Sequence, residues 1–168
     1  MDRKTKKAVL ITTIIFFIIA ITFMFYKINN IKELEGSSGA YFYKINILKE
    51  ESKRLSKWDV GISKNDIKTS VNESDSNRKT LDKFRTTIDQ ISLKKITLFS
   101  LSLYLIFILI IFVITKKNKQ IYKNKKEKII LQVFITLLVI FLVYKIFTSS
   151  IYLNGLYKDA IYYFKLIS

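Results

Sequence analysis

Apolar residues fall along the chain in two patterns. Three runs are apolar on every face: residues 8–26 (AVLITTIIFFIIAITFMFY), 96–115 (ITLFSLSLYLIFILIIFVIT) and 129–147 (IILQVFITLLVIFLVYKIF), with Lys145 the one charge among them. At 1.5 Å per residue, each run matches the ~30 Å hydrocarbon thickness of a bilayer. Between and after them the apolar residues are spaced. Tyr41, Ile45, Leu48 and Leu55 step by four, three and seven residues; Leu81, Phe84, Ile88, Ile91 and Leu98 step by three, four, three and seven. Both series fit one face of an amphipathic helix. A third series, Leu153, Leu156, Tyr157, Ala160, Ile161, Phe164 and Ile167, does the same near the C-terminus, with Lys158, Asp159 and Lys165 largely off it.

These patterns predict an all-α integral membrane protein with three transmembrane helices, an extracytoplasmic helical hairpin and a C-terminal amphipathic helix. Gly36 would cap an extension of the first helix, and Ser37 or Ser38 would start the helix carrying Tyr41 to Leu55. Ser70 and Glu73 fit a capping box, and the stripe after them runs into the second apolar segment as one long helix from about residue 71 to 115. Residues 148–168 are too short and too charged for a fourth span; they suit either an interfacial helix with Tyr152, Tyr162 and Tyr163 at headgroup depth, or packing on the external region.

Charge sets the orientation. Arg3, Lys4, Lys6 and Lys7 crowd the start, and residues 116–128 (KKNKQIYKNKKEK) carry seven Lys against Glu127 alone. Basic flanks stay in the cytoplasm, so the expected plan is 1–7 cytoplasmic, 8–26 span, 27–95 extracytoplasmic, 96–115 span, 116–128 cytoplasmic loop, 129–147 span and 148–168 extracytoplasmic. The first run exceeds the ~7–15-residue core of a signal peptide, and the small-residue pattern Ser38-Gly39-Ala40 lies far beyond it, so it reads as an uncleaved anchor. The net charge of +16 then has a lipid explanation: Lys116, Lys117, Lys119, Lys123, Lys125, Lys126 and Lys128 would meet anionic headgroups at about 1 kcal/mol each. A nucleic-acid surface would want a soluble basic face with interleaved aromatics, and none is expected here.

Composition narrows the chemistry. With no His and no Cys, thiol nucleophiles, Ser-His-Asp triads, disulfides and Cys/His zinc sites are absent. No proline and four glycines leave no phosphate-binding glycine loop. The Lys- and Ile-rich usage looks like translation of an AT-rich bacterial genome. Mid-span ionisable groups, the usual mark of an ion pathway, are missing, and Lys145 can snorkel to the interface. The mild polar residues Thr12, Thr22, Thr97, Ser100, Tyr104, Gln132 and Thr136 fall on one side of their helices and suit helix packing. The external carboxylates (Glu50, Glu51, Asp59, Asp66, Glu73, Asp75) read as solvated charge and match no calcium loop.

No enzyme and no cofactor is expected. The leading expectation is an accessory or assembly subunit of a membrane complex, with membrane lipids and a protein as partners and with Leu81, Phe84, Ile88 and Ile91 as the docking stripe. The alternative is a self-protection protein against a bacteriocin or secreted toxin.

Overall fold

The computed structural model describes residues 11, 13–16, 18–22, 34–50, 53–62, 67–117 and 125–168. Among the described residues the protein is mostly helical, yet it is not all-α: the arm of the expected hairpin that carries Tyr41 to Leu55 belongs to a four-stranded antiparallel sheet, while the arm that carries Leu81 to Ile91 is helical as expected. Strands β1 (Glu35–Ser38), β2 (Tyr41–Glu50), β3 (Lys53–Ile62) and β4 (Ile67–Asn72) lie in sheet order β1-β2-β3-β4. Helix α1 covers Thr13–Thr22, α2 Arg78–Lys117 and α3 Lys125–Ile167. The chain divides into two compact units: residues 1–29 with 97–149, and residues 30–96 with 150–168.

The second unit is built on period two. Tyr41, Tyr43 and Ile45 alternate with Phe42, Lys44 and Asn46, and the three odd positions are buried. Register carries the same face across the sheet, since Tyr43 stands opposite Val60 and Val60 opposite Thr69, while Ile45 stands opposite Trp58 and Trp58 opposite Val71. The helical spacing of Tyr41, Ile45, Leu48 and Leu55 was a coincidence of hairpin geometry. Leu48 and Leu55 are direct cross-strand partners on either side of the β2–β3 turn, so their seven-residue step measures a hairpin closing. β-Branched and aromatic residues dominate β2, and such residues prefer the pleated surface.

Gly36 is therefore a strand residue and no helix cap. It pairs with Tyr43, and a Cβ there would lie 2.4 Å from Tyr43 Cε1; only glycine lets the phenol ring cross β1. Gly39 has φ +68° and turns the chain between the partners Ser38 and Tyr41, a two-residue hairpin that requires a residue tolerant of positive φ. The expected capping box also dissolves. Ser70 Oγ donates to Asp59 Oδ1, and Glu73 instead takes the Trp58 indole N–H at Oε2 (3.0 Å) and the Arg78 guanidinium at Oε1 (3.0 Å). The helix begins later, at Arg78, after a turn in which Asn77 Oδ1 accepts from Ser74 N (2.8 Å) and Asn77 Nδ2 donates to the Asn72 carbonyl (2.9 Å).

One face of this sheet is covered by helix. Leu81, Phe84, Ile88 and Ile91 from α2 and Leu156, Ala160 and Phe164 from α3 form a single core with Tyr41, Tyr43, Ile45, Trp58 and Val60. Leu153, Tyr157 and Ile167 pack against it. Residues 150–167 thus pack on the sheet and the start of α2, as the continuation of α3.

The first unit has the opposite character. α2 and α3 contain the runs 96–115 and 129–147, and each passes the length and composition test for a membrane crossing, with 0% and 6% of the apolar window buried. Ile106, Leu109, Ile110 and Val113 on α2, and Ile130, Leu137, Ile140 and Phe141 on α3, are all exposed. The buried positions of α3 in this unit, Ile135, Leu142 and Ser149, recur every seventh residue, the step of a packing seam. Described residues of α1 supply a second contact: Phe16 stacks on Phe107 (centroids 4.6 Å) and meets the edge of Tyr104 (5.4 Å). Two long apolar helices suggest association with a membrane.

Candidate functional site

The free face of the sheet carries a polar cluster centred on Asp59. This residue stands opposite Lys44 on β2 and Ser70 on β4. Its Oδ1 accepts from Ser70 Oγ; its Oδ2 accepts from Asn46 Nδ2 at 3.1 Å and pairs with Lys68 Nζ at 3.9 Å. The Ser70 hydrogen bond, helped by the Lys68 charge, outweighs burial and holds the Asp59 carboxyl below its usual range. The cluster links β2, β3 and β4 from the side opposite the core.

At the core edge the polar contact runs the other way. Tyr43 Oη donates to Asp89 Oδ1 at 2.9 Å, joining β2 to α2. Burial raises the Asp89 carboxyl, and the Tyr43 hydrogen bond and the Arg85 charge offset part of that rise. Burial likewise pushes the Tyr43 phenol up, and Asp89 pushes it further.

The same unit holds a cleft of about 260 Å³ lined by Lys83, Thr86, Thr87 and Gln90 of α2 and by Tyr152, Gly155, Leu156, Asp159 and Tyr163 of α3. Nothing lies within 4 Å of where a Gly155 Cβ would sit, so the α3 backbone forms part of its wall. The lining offers one ammonium, one carboxylate, hydroxyls and an amide. It supplies polar recognition, with no nucleophile set beside a base, and no group of three or more acidic side chains that could hold a metal occurs among the described residues.

Toward the chain boundary of this unit, Lys94 Nζ sits 4.9 Å from the centroid of the Tyr152 ring and Lys95 Nζ 5.6 Å from that of Tyr157. The β1–β2 turn closes on Lys95 as well, since a Cβ on Gly39 would lie 2.9 Å from its Nζ.

The residues singled out in the sequence are distributed differently. Leu81, Phe84, Ile88 and Ile91 are exposed by no more than 1%; the expected docking stripe is the helical wall of the chain's own core, already occupied by its sheet. Of the expected helix-packing residues, Tyr104 meets Phe16. The hydroxyls of Thr22 and Thr136 return to carbonyls of their own helices, Ile18 and Gln132, at 2.8 Å each. Thr97 is exposed, Ser100 and Gln132 are half-buried, and Thr12 lies outside the described residues. Among the lysines expected to meet lipid, Lys116 and Lys126 are exposed and Lys128 is half-buried, Lys117 and Lys125 end α2 and begin α3, and Lys119 and Lys123 lie outside the described residues. Asp59, expected as solvated charge, is instead bound to Asn46, Ser70 and Lys68, and Lys94 and Lys95 were not singled out. Period-two alternation in β2 and β3 would have found the first, and a Lys-Lys pair directly before an uncharged run the other two.

Comparison with protein-family models, with curated proteins and with solved structures finds no match to this chain.

Proposed function

We propose that this chain is a non-catalytic accessory or assembly subunit of a multiprotein membrane complex. In this reading residues 8–26, 96–115 and 129–147 cross the bilayer. The basic residues 1–7 and 116–128 face the cytoplasm, and the sheet-bearing unit and the C-terminus face outward. The observation that supports it is the bare apolar surface of α2 and α3, of whose apolar windows 0% and 6% are buried by the chain. Such a surface calls for lipid and neighbouring helices. α2 and α3 are each roughly 60 Å long at 1.5 Å per residue, twice the ~30 Å a bilayer needs. The surplus length of each carries the residues that wall the external core.

A partner would then be met by the lipid-facing helix surfaces and by the polar features of the outer unit, because the stripe Leu81–Ile91 is used internally. The test is native-size analysis of the tagged chain extracted in mild detergent from its own host, with co-purifying chains identified by mass spectrometry. Stoichiometric partners in a large assembly are the expected result. A monomer or small homo-oligomer without partners overturns the subunit reading.

A further inference from the structure

We propose that Lys94 and Lys95, seated on Tyr152 and Tyr157, form a phosphate-binding site for an anionic phospholipid headgroup in the outer leaflet. This rests on the membrane-spanning reading above and adds to it a specific lipid contact on the face opposite the basic cytoplasmic loop.

Three observations converge on it. The first is position. Lys94 and Lys95 are the last charges on α2 before the uncharged run 96–115, and Tyr152 and Tyr157 lie just beyond the other run of α3, 129–147. Tyrosine and lysine at the end of an apolar segment are the residues found at headgroup depth. The second is geometry. Both ammonium groups are held over ring faces of the opposing helix, at 4.9 and 5.6 Å. A ring face attracts a cation without neutralising it, so the pair keeps its full charge while losing side-chain freedom. The Gly39 turn limits Lys95 from a third side. The third is charge balance. Among the described residues neither ammonium has a carboxylate within 4.0 Å, whereas Lys68 pairs with Asp59 and Arg78 with Glu73 elsewhere in the unit. Two cations consecutive in sequence, each seated on a ring and without a carboxylate partner among the described residues, match a phosphodiester anion at headgroup depth.

The site is distinct from the cytoplasmic lysine loop in kind as well as in place. Seven Lys among 13 residues attract anionic lipid diffusely. Here two cations are fixed by named rings, so loss of one ring should act on one lysine.

The experiment labels the full chain in nanodiscs with a membrane-impermeant amine reagent and reads modification at each lysine by peptide mass spectrometry. Nanodiscs of phosphatidylcholine alone are compared with nanodiscs that also contain phosphatidylglycerol. Phosphatidylglycerol is expected to slow labelling of Lys94 and Lys95 by about fivefold per site, the weight of one lysine at an anionic surface, and to leave Lys79 unchanged. Tyr152→Leu, at an exposed position, should remove the protection of Lys94 and spare that of Lys95. Equal labelling in the two lipids overturns the proposal. Protection reproduced in phosphatidylcholine nanodiscs by inorganic phosphate alone overturns the lipid as its source and leaves the phosphate chemistry standing. Release of the chain from native membranes by alkaline carbonate is a separate failure, since it removes the membrane-spanning reading itself.

Discussion

The two units of this chain use the same aliphatic residues in opposite ways. In residues 30–96 with 150–168, Val60, Leu81, Phe84, Ile91 and Ala160 are fully buried. In residues 97–149, Leu137, Ile140, Phe141 and Phe147 are each exposed by more than half. One unit gathers apolar side chains into a core and the other leaves most of its own on the surface. Burying a large aliphatic or aromatic side chain is worth about 1.5–3 kcal/mol in water, so the apolar windows of α2 and α3, 0% and 6% buried, suit a different solvent. The contrast separates two kinds of surface: the sheet-bearing unit has a core of its own, whereas most apolar side chains of the other unit are left uncovered by the chain.

Substitutions can break this contrast or sharpen it. The largest effect is expected from Phe84→Ala, which opens a cavity in the core of the sheet-bearing unit; phenylalanine truncation costs about 3–5 kcal/mol. Trp58 is the only tryptophan and is 3% exposed in the same core, so its emission should shift to the red while retention in alkaline-washed membranes is unchanged. Simultaneous loss of retention would mean that the two units do not have separate sources of stability.

Next comes Leu137→Arg. Its side chain is 61% exposed, and in a water-soluble protein such a surface change stays within about 0.5 kcal/mol. At the centre of a membrane helix it costs about 2.5–3.5 kcal/mol. An insertion assay with a glycosylation reporter should show a several-fold fall in the inserted fraction, and an unaffected chain would remove the contrast altogether.

Gly36→Ala should cost about 1–3 kcal/mol, as overpacking does, because its new methyl group meets the Tyr43 ring at 2.4 Å. Thermal unfolding followed by Trp58 emission measures this, and it should be confined to the sheet-bearing unit.

The smallest effect is a pH dependence. Burial raises the Asp89 carboxyl, so between the ordinary carboxylate range and the raised folded value the folded state binds more protons than the unfolded one. Stability from this group is present below that window and is lost as pH rises through it. Asn at 89 keeps an acceptor for Tyr43 and removes the buried charge. Asp89→Asn should therefore equal or slightly exceed the parent at neutral pH, by about 1 kcal/mol or less, and the difference should shrink as the pH is lowered. Asp59, held below the ordinary range by Ser70, has the opposite slope: its contribution is present above the ordinary range and is lost as pH falls through its depressed value. A parent-minus-variant comparison at each pH isolates Asp89 from it.

What was legible in the sequence divides along the same line. Two of the three apolar runs lie within α2 and α3 because an apolar surface on all faces at bilayer length has few other meanings. The stripe Leu81–Ile91 was legible as a buried face, and so was the stripe Leu153–Ile167, since a three-and-four repeat marks one side of a helix whatever covers it. What covers it was not legible. Residues 41–55 satisfied both periods: Tyr41, Ile45 and Leu48 fit a helix, and Tyr41, Tyr43, Ile45 and Ile47 fit a strand. The deciding signals were local, namely the two glycines Gly36 and Gly39 ahead of β2 and the β-forming Tyr, Phe and Ile within it. A helix read there supplied a false partner for the α2 stripe, and with it a docking face that the fold does not leave open. The candidate sites were harder still. Asp59, Lys94 and Lys95 matter only once the register of β3 or the facing rings of α3 are known, and a cross-strand or cross-helix distance is absent from any single segment's pattern.

The shared wall of the core has a consequence for the timing of synthesis. The four strands are neighbours in sequence order and need only local turns to assemble, and the α2 wall follows them directly. Phe164, Ala160 and Leu156 come from the far side of the entire apolar passage, yet they are among the core's buried members. A ribosome therefore delivers the sheet long before it delivers the α3 wall, and between those moments the nascent sheet-bearing unit displays Trp58, Tyr43 and Phe84 without their full cover. Long-range closure of this kind slows folding relative to local contacts. The half-made protein is the stage at which chaperones and proteases have the most to recognise.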